Sequence, residues 1–322
     1  MNSPTSGLNP TPSSVDSDPR TITENAFVPS WREFKALIVF TAALAAVFYR
    51  PLLGLLEFAP HKELYSHILL IPFISGYLIW VKRRAPVAVS RPNRALAVLP
   101  LLAGLAVLGL YRVGSGRGWT FETADYLAVM TLAFLCFLMS GAFILVQRNY
   151  LKSIAFPIAF LIFCVPFPTF LQDGIEDFFQ HGSAHVAYAM FKVAGMPVLK
   201  TGTYFLLPGF PLDVQPECSG IHSSLVLFVT SLVAAYLFLE TPVRRWLFVL
   251  FVIPLALLRN GFRVFSLGEI GVHFFPDVLN SWFHHHGGPI FFLLSLVPLF
   301  LLLVYLMKGE ARKRAARAHP NK

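Results

Sequence analysis

The chain has 322 residues, of which 56% are hydrophobic and only 13% are charged, and its mean hydropathy is +0.63. This composition excludes a water-soluble domain and is typical of a membrane protein. The net charge of +9 could indicate nucleic-acid binding, but the cations lie at the edges of apolar segments, where they orient membrane spans instead.

The chain begins and ends with polar segments. Residues 1–30 are rich in Ser, Thr, Pro and Asn and lack the apolar core of a cleavable signal peptide, so we predict a disordered cytoplasmic segment. We expect one helical domain over residues 31–307, because no repeat is evident and the connections are short. Residues 308–322 are rich in Lys and Arg and are predicted to form a basic cytoplasmic tail.

Eight segments meet the requirement of roughly 20 mostly apolar residues for a membrane-spanning helix. Their approximate bounds are 36–57, 65–81, 95–112, 124–146, 152–170, 218–239, 246–267 and 286–307. The sequence therefore predicts an all-α, polytopic helical bundle with about eight transmembrane helices.

Lys and Arg in the loops predict the orientation of these spans, because short loops rich in cations stay in the cytoplasm. The second, fourth and sixth loops are all basic, and so is the C-terminal tail. The cations of these three loops are Lys82, Arg83, Arg84, Arg91, Arg94, Arg148, Lys152, Arg244 and Arg245. Both termini are thus predicted to be cytoplasmic in a bacterial inner membrane.

The longest outward connection, 171–217, predicts two small extracytoplasmic elements. Apolar residues recur at helical spacing over 171–193 with acidic residues on the other side, which is typical of an amphipathic interfacial helix. Two short extended runs around Pro208 and Gly209 then predict a hairpin that leads into Cys218.

Cys218 differs from the other two cysteines, Cys136 and Cys164, which fall inside apolar runs where a thiol behaves as a small hydrophobic group. Pro216 favours an extended approach, so the sixth helix should begin around Cys218. The positive end of the helix dipole there favours a nucleophilic thiolate. The plainer alternative is an inert interfacial cysteine. His222, four residues later on the same predicted helix face, is a candidate base.

Arg259 and Arg263 are predicted at the outer end of the seventh span, within LLRNGFRVF. At a rise of about 1.5 Å per residue, Arg263 would lie roughly 26 Å from the cytoplasmic start of that helix. Arginines four residues apart share a helix face and repel, so something must compensate them. Snorkelling to lipid head groups is the alternative, although outward arginines are the less expected kind. Asn260 could orient a neighbouring arginine.

Three consecutive histidines, His284, His285 and His286, begin the predicted eighth span at the same outer interface. Histidine titrates near neutral pH and can pass protons to and from a cysteine or a leaving amine. A metal site is the rival, but three successive histidines do not share a helix face and no carboxylate motif accompanies them. We therefore predict no metal and no other cofactor. His67, at the start of the second span, lies near the same level.

The predicted orientation places Cys218, Arg263 and His284 on one side of the membrane, where a nucleophile, a fixed cation and a proton carrier can converge. The alternative is a lipid-handling or acyl-transfer membrane protein that uses outward Arg and His residues without a cysteine nucleophile. Transport is disfavoured, because the middle segments are almost wholly apolar.

These residues resemble the motifs of the exosortases and archaeosortases. Three strings match in order: Cys-Ser-Gly at Cys218, Asn-x-x-Arg from Asn260 to Arg263, and a histidine followed four residues later by glycine at His284. The resemblance spans most of residues 60–305.

This resemblance implies a cysteine transpeptidase that removes a C-terminal sorting signal from exported proteins. The signal consists of a short motif, a transmembrane helix and a basic tail. The catalytic set of the family carries over to Cys218, Arg263 and His284, with Arg259 and His285 as second candidates for two of the roles. The implied partners are exported substrates and the lipid bilayer, without nucleic acid. The recognised motif, the acceptor and the oligomeric state stay open.

Overall fold

The computed structural model describes residues 26–27, 31–82, 87–88, 90–216, 219–274 and 288–318. Most of these residues are helical. The α-helices are α1 (Trp31–Val47), α2 (Tyr49–His61), α3 (Ile71–Lys82), α4 (Val98–Gly116), α5 (Thr123–Leu145), α6 (Arg148–Ser153), α7 (Ala155–Phe160), α8 (Thr169–Val193), α9 (Ile221–Phe238), α10 (Pro242–Leu250), α11 (Val252–His273) and α12 (Gly288–Ala318). Short 3₁₀ segments cover Glu63–Leu69, Arg94–Ala97 and Leu161–Cys164.

Six helical segments among the described residues are long and apolar enough to cross a membrane. They are Glu63–Lys82, Arg94–Gly116, Thr123–Leu145, Ile221–Phe238, Pro242–His273 and Gly288–Ala315. Two further pairs meet the requirement only together: α1 with α2, bent by 81°, and Ala155–Cys164 with α8, bent by 92°. The predicted all-α polytopic fold is confirmed, but the first and fifth predicted spans are not straight helices.

Prolines explain the second bend. Val165 and Pro168 are extended, with ψ angles of 119° and 145°, between the end of one helix and the start of α8. Pro166 and Pro168 disfavour helix at the residues before them and donate no backbone hydrogen bond. The continuous helix predicted over 152–170 is therefore wrong. The new start at Thr169 is held from α5, where the Asp125 carboxylate accepts the Thr169 backbone N–H at 2.8 Å.

A small antiparallel sheet follows α8, with strands β3 (Leu199–Thr201), β4 (Tyr204–Leu207) and β5 (Phe210–Asp213) in that order. The predicted hairpin corresponds to β4 and β5, which turn at Gly209 with φ 69°. β3 was not predicted from the sequence. A second pair, β1 (Ala26–Phe27) and β2 (Val87–Ala88), involves the segment 1–30, whose other residues lie outside the described ranges.

The sheet packs on α8 and α11 through alternating side chains that point inward. This core contains Ala184, Ala187, Phe191, Phe205, Leu207, Phe210, Leu212, Val264 and Leu267. The two helices approach closely, because a side chain at Gly261 would collide with Val186 and one at Gly268 would collide with Phe191. Small residues at such a contact let helix backbones come together in membrane proteins. The sheet, α8 and the second half of α11 thus form one packed unit.

The basic loops lie together at one end of the bundle, which we call the basic end. The Asn149 backbone N–H donates to Ser90 Oγ at 2.9 Å and joins the fourth loop to the second. Lys82 and Arg245 both lie over the Tyr236 ring, at 5.9 and 5.7 Å from its centroid, and so bring the sixth loop to the same place. Which side of the membrane this end faces stays a prediction.

The last helix is also attached at the basic end. α12 continues to Ala318, through most of the predicted tail 308–322. Its Glu310 carboxylate accepts hydrogen bonds from the backbone N–H groups of Glu240 and Thr241, at 3.0 and 2.9 Å, and from Thr241 Oγ1 at 2.6 Å. Arg244 donates to the Leu306 carbonyl at 2.7 Å. A buried carboxylate at the start of α10 is favoured by the helix dipole and by the unpaired N–H groups there.

Candidate functional site

The turn before α9 is the centre of the candidate site. α9 begins at Ile221, and Gly220 before it is left-handed with φ 73°. The sixth helix was predicted to begin around Cys218, and α9 begins three residues further along the chain. His222 lies in the first turn of α9. Cys218 itself lies outside the described residues.

Two consecutive residues of α11 hold this turn, and we call Arg259 and Asn260 the clamp. Asn260 Nδ2 donates to the Ser219 carbonyl at 2.9 Å. Arg259 Nη2 donates to the Gly220 carbonyl at 3.2 Å and to Ser224 Oγ at 3.1 Å. The clamp therefore fixes the backbone directly after position 218 from a helix that is distant in the sequence.

The clamp requires glycine at position 220. A Cβ added there would lie 2.9 Å from Asn260 Oδ1 and 3.2 Å from Arg259 Nη2. A left-handed backbone also costs roughly 1–2 kcal/mol for a residue with a side chain. Gly220 thus satisfies both the shape of the turn and the approach of the clamp.

The clamp is buried, with exposed fractions of 8% for Arg259, 2% for Asn260 and 0% for Ser219. Buried polar groups are stable only where they are hydrogen-bonded, and a buried charge needs close partners. The carbonyl of Gly220 and the hydroxyl of Ser224 supply part of that compensation. Arg259 Nη1 has no hydrogen-bond partner within the described part of the chain, so one donor of the clamp is left over.

Arg263 lies one turn beyond the clamp and is half-buried. Its positive charge repels the positive charge of Arg259, as the spacing of four residues predicts. The seventh helix was predicted to end at about residue 267, but α11 continues to His273. Arg263 is therefore about 15 Å of helix away from the end of α11 and not at its terminus.

Two histidines on other elements lie in this region, His222 near Arg259 and His67 near His222. His67, in the 3₁₀ segment Glu63–Leu69, is 9% exposed, and its Nδ1 bonds the Leu64 carbonyl at 3.0 Å. His222 bonds the Glu63 carbonyl through Nδ1 and so ties α9 to that segment. His222 also lies within electrostatic range of both His67 and Arg259.

The structure thus brings His67, His222, Arg259 and Asn260 together at one place, which we call the site end, with Arg263 one turn away. The predicted residues Cys218, His284, His285 and His286 lie outside the described ranges. Sequence reasoning missed Ser224, which both accepts from Arg259 and donates to the Gly220 carbonyl at 2.7 Å. Its signal in the sequence was weak, because α9 also carries hydroxyl groups at Ser223, Thr230 and Ser231.

Comparison with known proteins gives one match. The family described as "Transmembrane exosortase" matches residues 59–301, well over half of the chain. This range includes the clamp and every candidate site residue. No curated protein matches the chain, and no solved structure matches it. The chain therefore belongs to the transmembrane exosortase family, and its role is that of a membrane-embedded transpeptidase in protein sorting.

Proposed function

We propose that this exosortase cleaves the C-terminal sorting signal of exported proteins through a thioester on Cys218. The clamp is the observation that carries the proposal. Asn260 and Arg259 hold the carbonyls of Ser219 and Gly220, the two residues that follow the cysteine. A nucleophile acts efficiently when its backbone is held in a fixed geometry relative to the reacting carbonyl.

The reaction begins when Cys218 transfers its proton to His284 and attacks the carbonyl carbon of the scissile peptide bond. A sulfur–carbon bond forms, and negative charge develops on the carbonyl oxygen. When this intermediate collapses, the carbon–nitrogen bond breaks and the amine takes the proton from His284. The released fragment carries the transmembrane helix and basic tail of the signal. His285 is the second candidate for the same proton transfer.

Arg263 stabilises the oxyanion in this proposal, and Arg259 positions the turn. The support is the difference in their surroundings. Arg259 is buried and bonded to the Gly220 carbonyl and Ser224, whereas Arg263 is half-buried one turn away. A preorganised cation near the developing charge lowers the barrier in a site with little water. His222 on α9 and His67 in the segment Glu63–Leu69 lie beside this site, and His222 joins the two elements through the Glu63 carbonyl.

An acceptor then resolves the thioester. An amine or hydroxyl nucleophile would attach the exported protein to the acceptor, and water would release it. In both cases His284 takes the proton of the attacking group, the carbon–sulfur bond breaks, and that proton passes to the sulfur, which restores the Cys218 thiol.

The orientation of the bundle is part of the proposal. The site end would face the exterior of a bacterial inner membrane, and the basic end and both termini would face the cytoplasm. Support comes from the cations gathered at the basic end, since positively charged loops are retained in the cytoplasm. Exported substrates would therefore reach the site end from outside.

Substitution of the cysteine tests the nucleophile. Membranes containing Cys218→Ala should leave a sorting-signal reporter uncleaved, and the native protein should form an adduct with the reporter that hydroxylamine releases, as expected for a thioester. Cys136→Ala is the matched control, because Cys136 is half-buried in α5 and far from the clamp in the sequence. Continued cleavage by Cys218→Ala would refute the assignment and favour a reaction without a cysteine nucleophile.

A further inference from the structure

A large apolar groove lies at the basic end, outside the candidate site. Its volume is about 1530 Å³, and α1, α3, α5, α6 and α7 contribute to its walls. Representative lining residues are Leu37, Ala42, Trp80, Leu135, Met139 and Ile158. Typical pockets for small ligands measure roughly 300–1,000 Å³, so the groove has room for a ligand with long apolar chains.

Cations lie close in the sequence to residues that line this groove, and we call them the rim cations. Four exposed cations, Lys35, Lys82, Arg148 and Lys152, each lie within two residues of a residue that lines the groove. No acidic side chain lines the groove in the described part of the chain. An apolar groove with cations at one end is complementary to a molecule with apolar chains and an anionic head.

Tyr150 adds a hydrogen-bond donor to the part of the groove that is formed by α6. It lies between Arg148 and Lys152 on α6 and forms part of the groove wall. Burial raises the pKa of Tyr150, so its hydroxyl keeps its proton throughout the physiological range. A phosphate or ester oxygen would accept a hydrogen bond from this group.

We infer that the groove binds an anionic phospholipid, with its acyl chains between α1, α3 and α5 and its phosphate among the four rim cations. Basic pockets between transmembrane helices are known to bind the head groups of such lipids. A substrate helix would fit the apolar walls but not the rim. The sorting signal implied by the family ends in a basic tail, which Lys35, Lys82, Arg148 and Lys152 would repel. The inference does not depend on the chemistry at the site end.

Lipid retention tests this inference. The purified protein is reconstituted in nanodiscs of equal parts phosphatidylethanolamine and phosphatidylglycerol, transferred into mild detergent, and its retained lipids are quantified by mass spectrometry. Among the retained lipids, we expect phosphatidylglycerol to be enriched at least about fivefold over phosphatidylethanolamine. One cation near a membrane surface strengthens the binding of anionic lipid by about this factor. The double variant Arg148→Glu/Lys152→Glu should abolish the enrichment.

The matched charge control is Arg312→Glu/Lys313→Glu, an identical change on exposed residues of α12, which should keep the enrichment. For the apolar walls, Ala42→Trp should displace retained lipid, whereas Ala43→Trp should not, because Ala43 is the next residue and does not line the groove. Absence of enrichment in the native protein, or equal loss in both charge variants, would overturn the inference. Photocrosslinking from position 42 to a sorting-signal peptide in place of lipid would overturn it as well.

Discussion

The two ends of the bundle each contain a helix start that is held by a buried polar side chain from another helix. At the basic end, Glu310 caps the start of α10 and both of its carboxylate oxygens accept hydrogen bonds. At the site end, the clamp holds the turn before α9, but Arg259 Nη1 finds no partner among the described residues. Among the described residues, every hydrogen-bonding group of the first arrangement is paired, whereas the second keeps one nitrogen without a partner.

We expect this difference to separate a structural attachment from a functional one. A closed set of hydrogen bonds contributes stability and needs nothing further, whereas a buried donor without a partner costs free energy. Proteins keep such costly groups mainly where they serve binding or catalysis. We therefore expect changes at the site end to affect activity most, and changes at the basic end to affect stability.

The largest effect is expected for Gly220→Ala. The added methyl group would strain the left-handed turn and push against Asn260 Oδ1 and Arg259 Nη2. A displacement of about 1 Å at the neighbouring nucleophile can cost roughly 100-fold in rate. Cleavage of a sorting-signal reporter, measured per folded molecule, should fall by about that factor.

Gly118→Ala is the matched control, because Gly118 is also left-handed, with φ 83°, but a Cβ there meets no atom within 4 Å. It carries the backbone strain without the collision. Equal losses of activity in the two variants would mean that the contact with the clamp is unimportant.

An intermediate effect is expected for Glu310→Ala. Removal of the carboxylate leaves the N–H groups of Glu240 and Thr241 and the Thr241 hydroxyl without their acceptor. Each unsatisfied buried donor costs about 1–3 kcal/mol, although water reaching this end would reduce the total. The melting temperature in detergent should fall, while cleavage per folded molecule should stay unchanged. A loss of activity without a loss of stability would contradict the comparison.

The smallest effect is expected for Arg314→Ala, which breaks the ion pair of Arg314 with Glu240 at the basic end. Both side chains are more than half exposed, at 68% and 64%. Exposed ion pairs contribute about 0–1 kcal/mol, because solvent screens them. Neither the melting temperature nor the rate of cleavage should change measurably. A clear loss of stability would show that α12 depends on this pair and not on Glu310.

The general architecture was predictable from the sequence. The length of an apolar segment indicates burial in a bilayer, so the all-α membrane fold followed from composition and periodicity. The length of an apolar segment does not show whether its helix is straight. The bends before Tyr49 and Thr169 were therefore not predicted. Pro166 and Pro168 are visible in the sequence, but the apolar run around them continues on both sides and conceals the break.

The site was only partly predictable. Arg259, Asn260, Arg263, His67 and His222 were candidates because of their place near the predicted outer ends of the spans and their spacing along the chain. The start of α9 at Ile221 depends on the left-handed Gly220, whose conformation is supported by residues far along the chain. Such long-range contacts leave no local pattern, and neither the clamp nor the role of Ser224 could be predicted.

The close contact between α8 and α11 has a consequence for helix phase. The clamp is followed immediately by Gly261, which seats α11 against Val186 of α8. One inserted residue turns a helix by about 100°, so an insertion in α11 before Arg259 would rotate the clamp away from α9 and Gly261 away from α8 in a single step. Packing and chemistry are thus coupled through the register of one helix. Length changes in this family should be excluded from that stretch and confined to connections that leave the register intact.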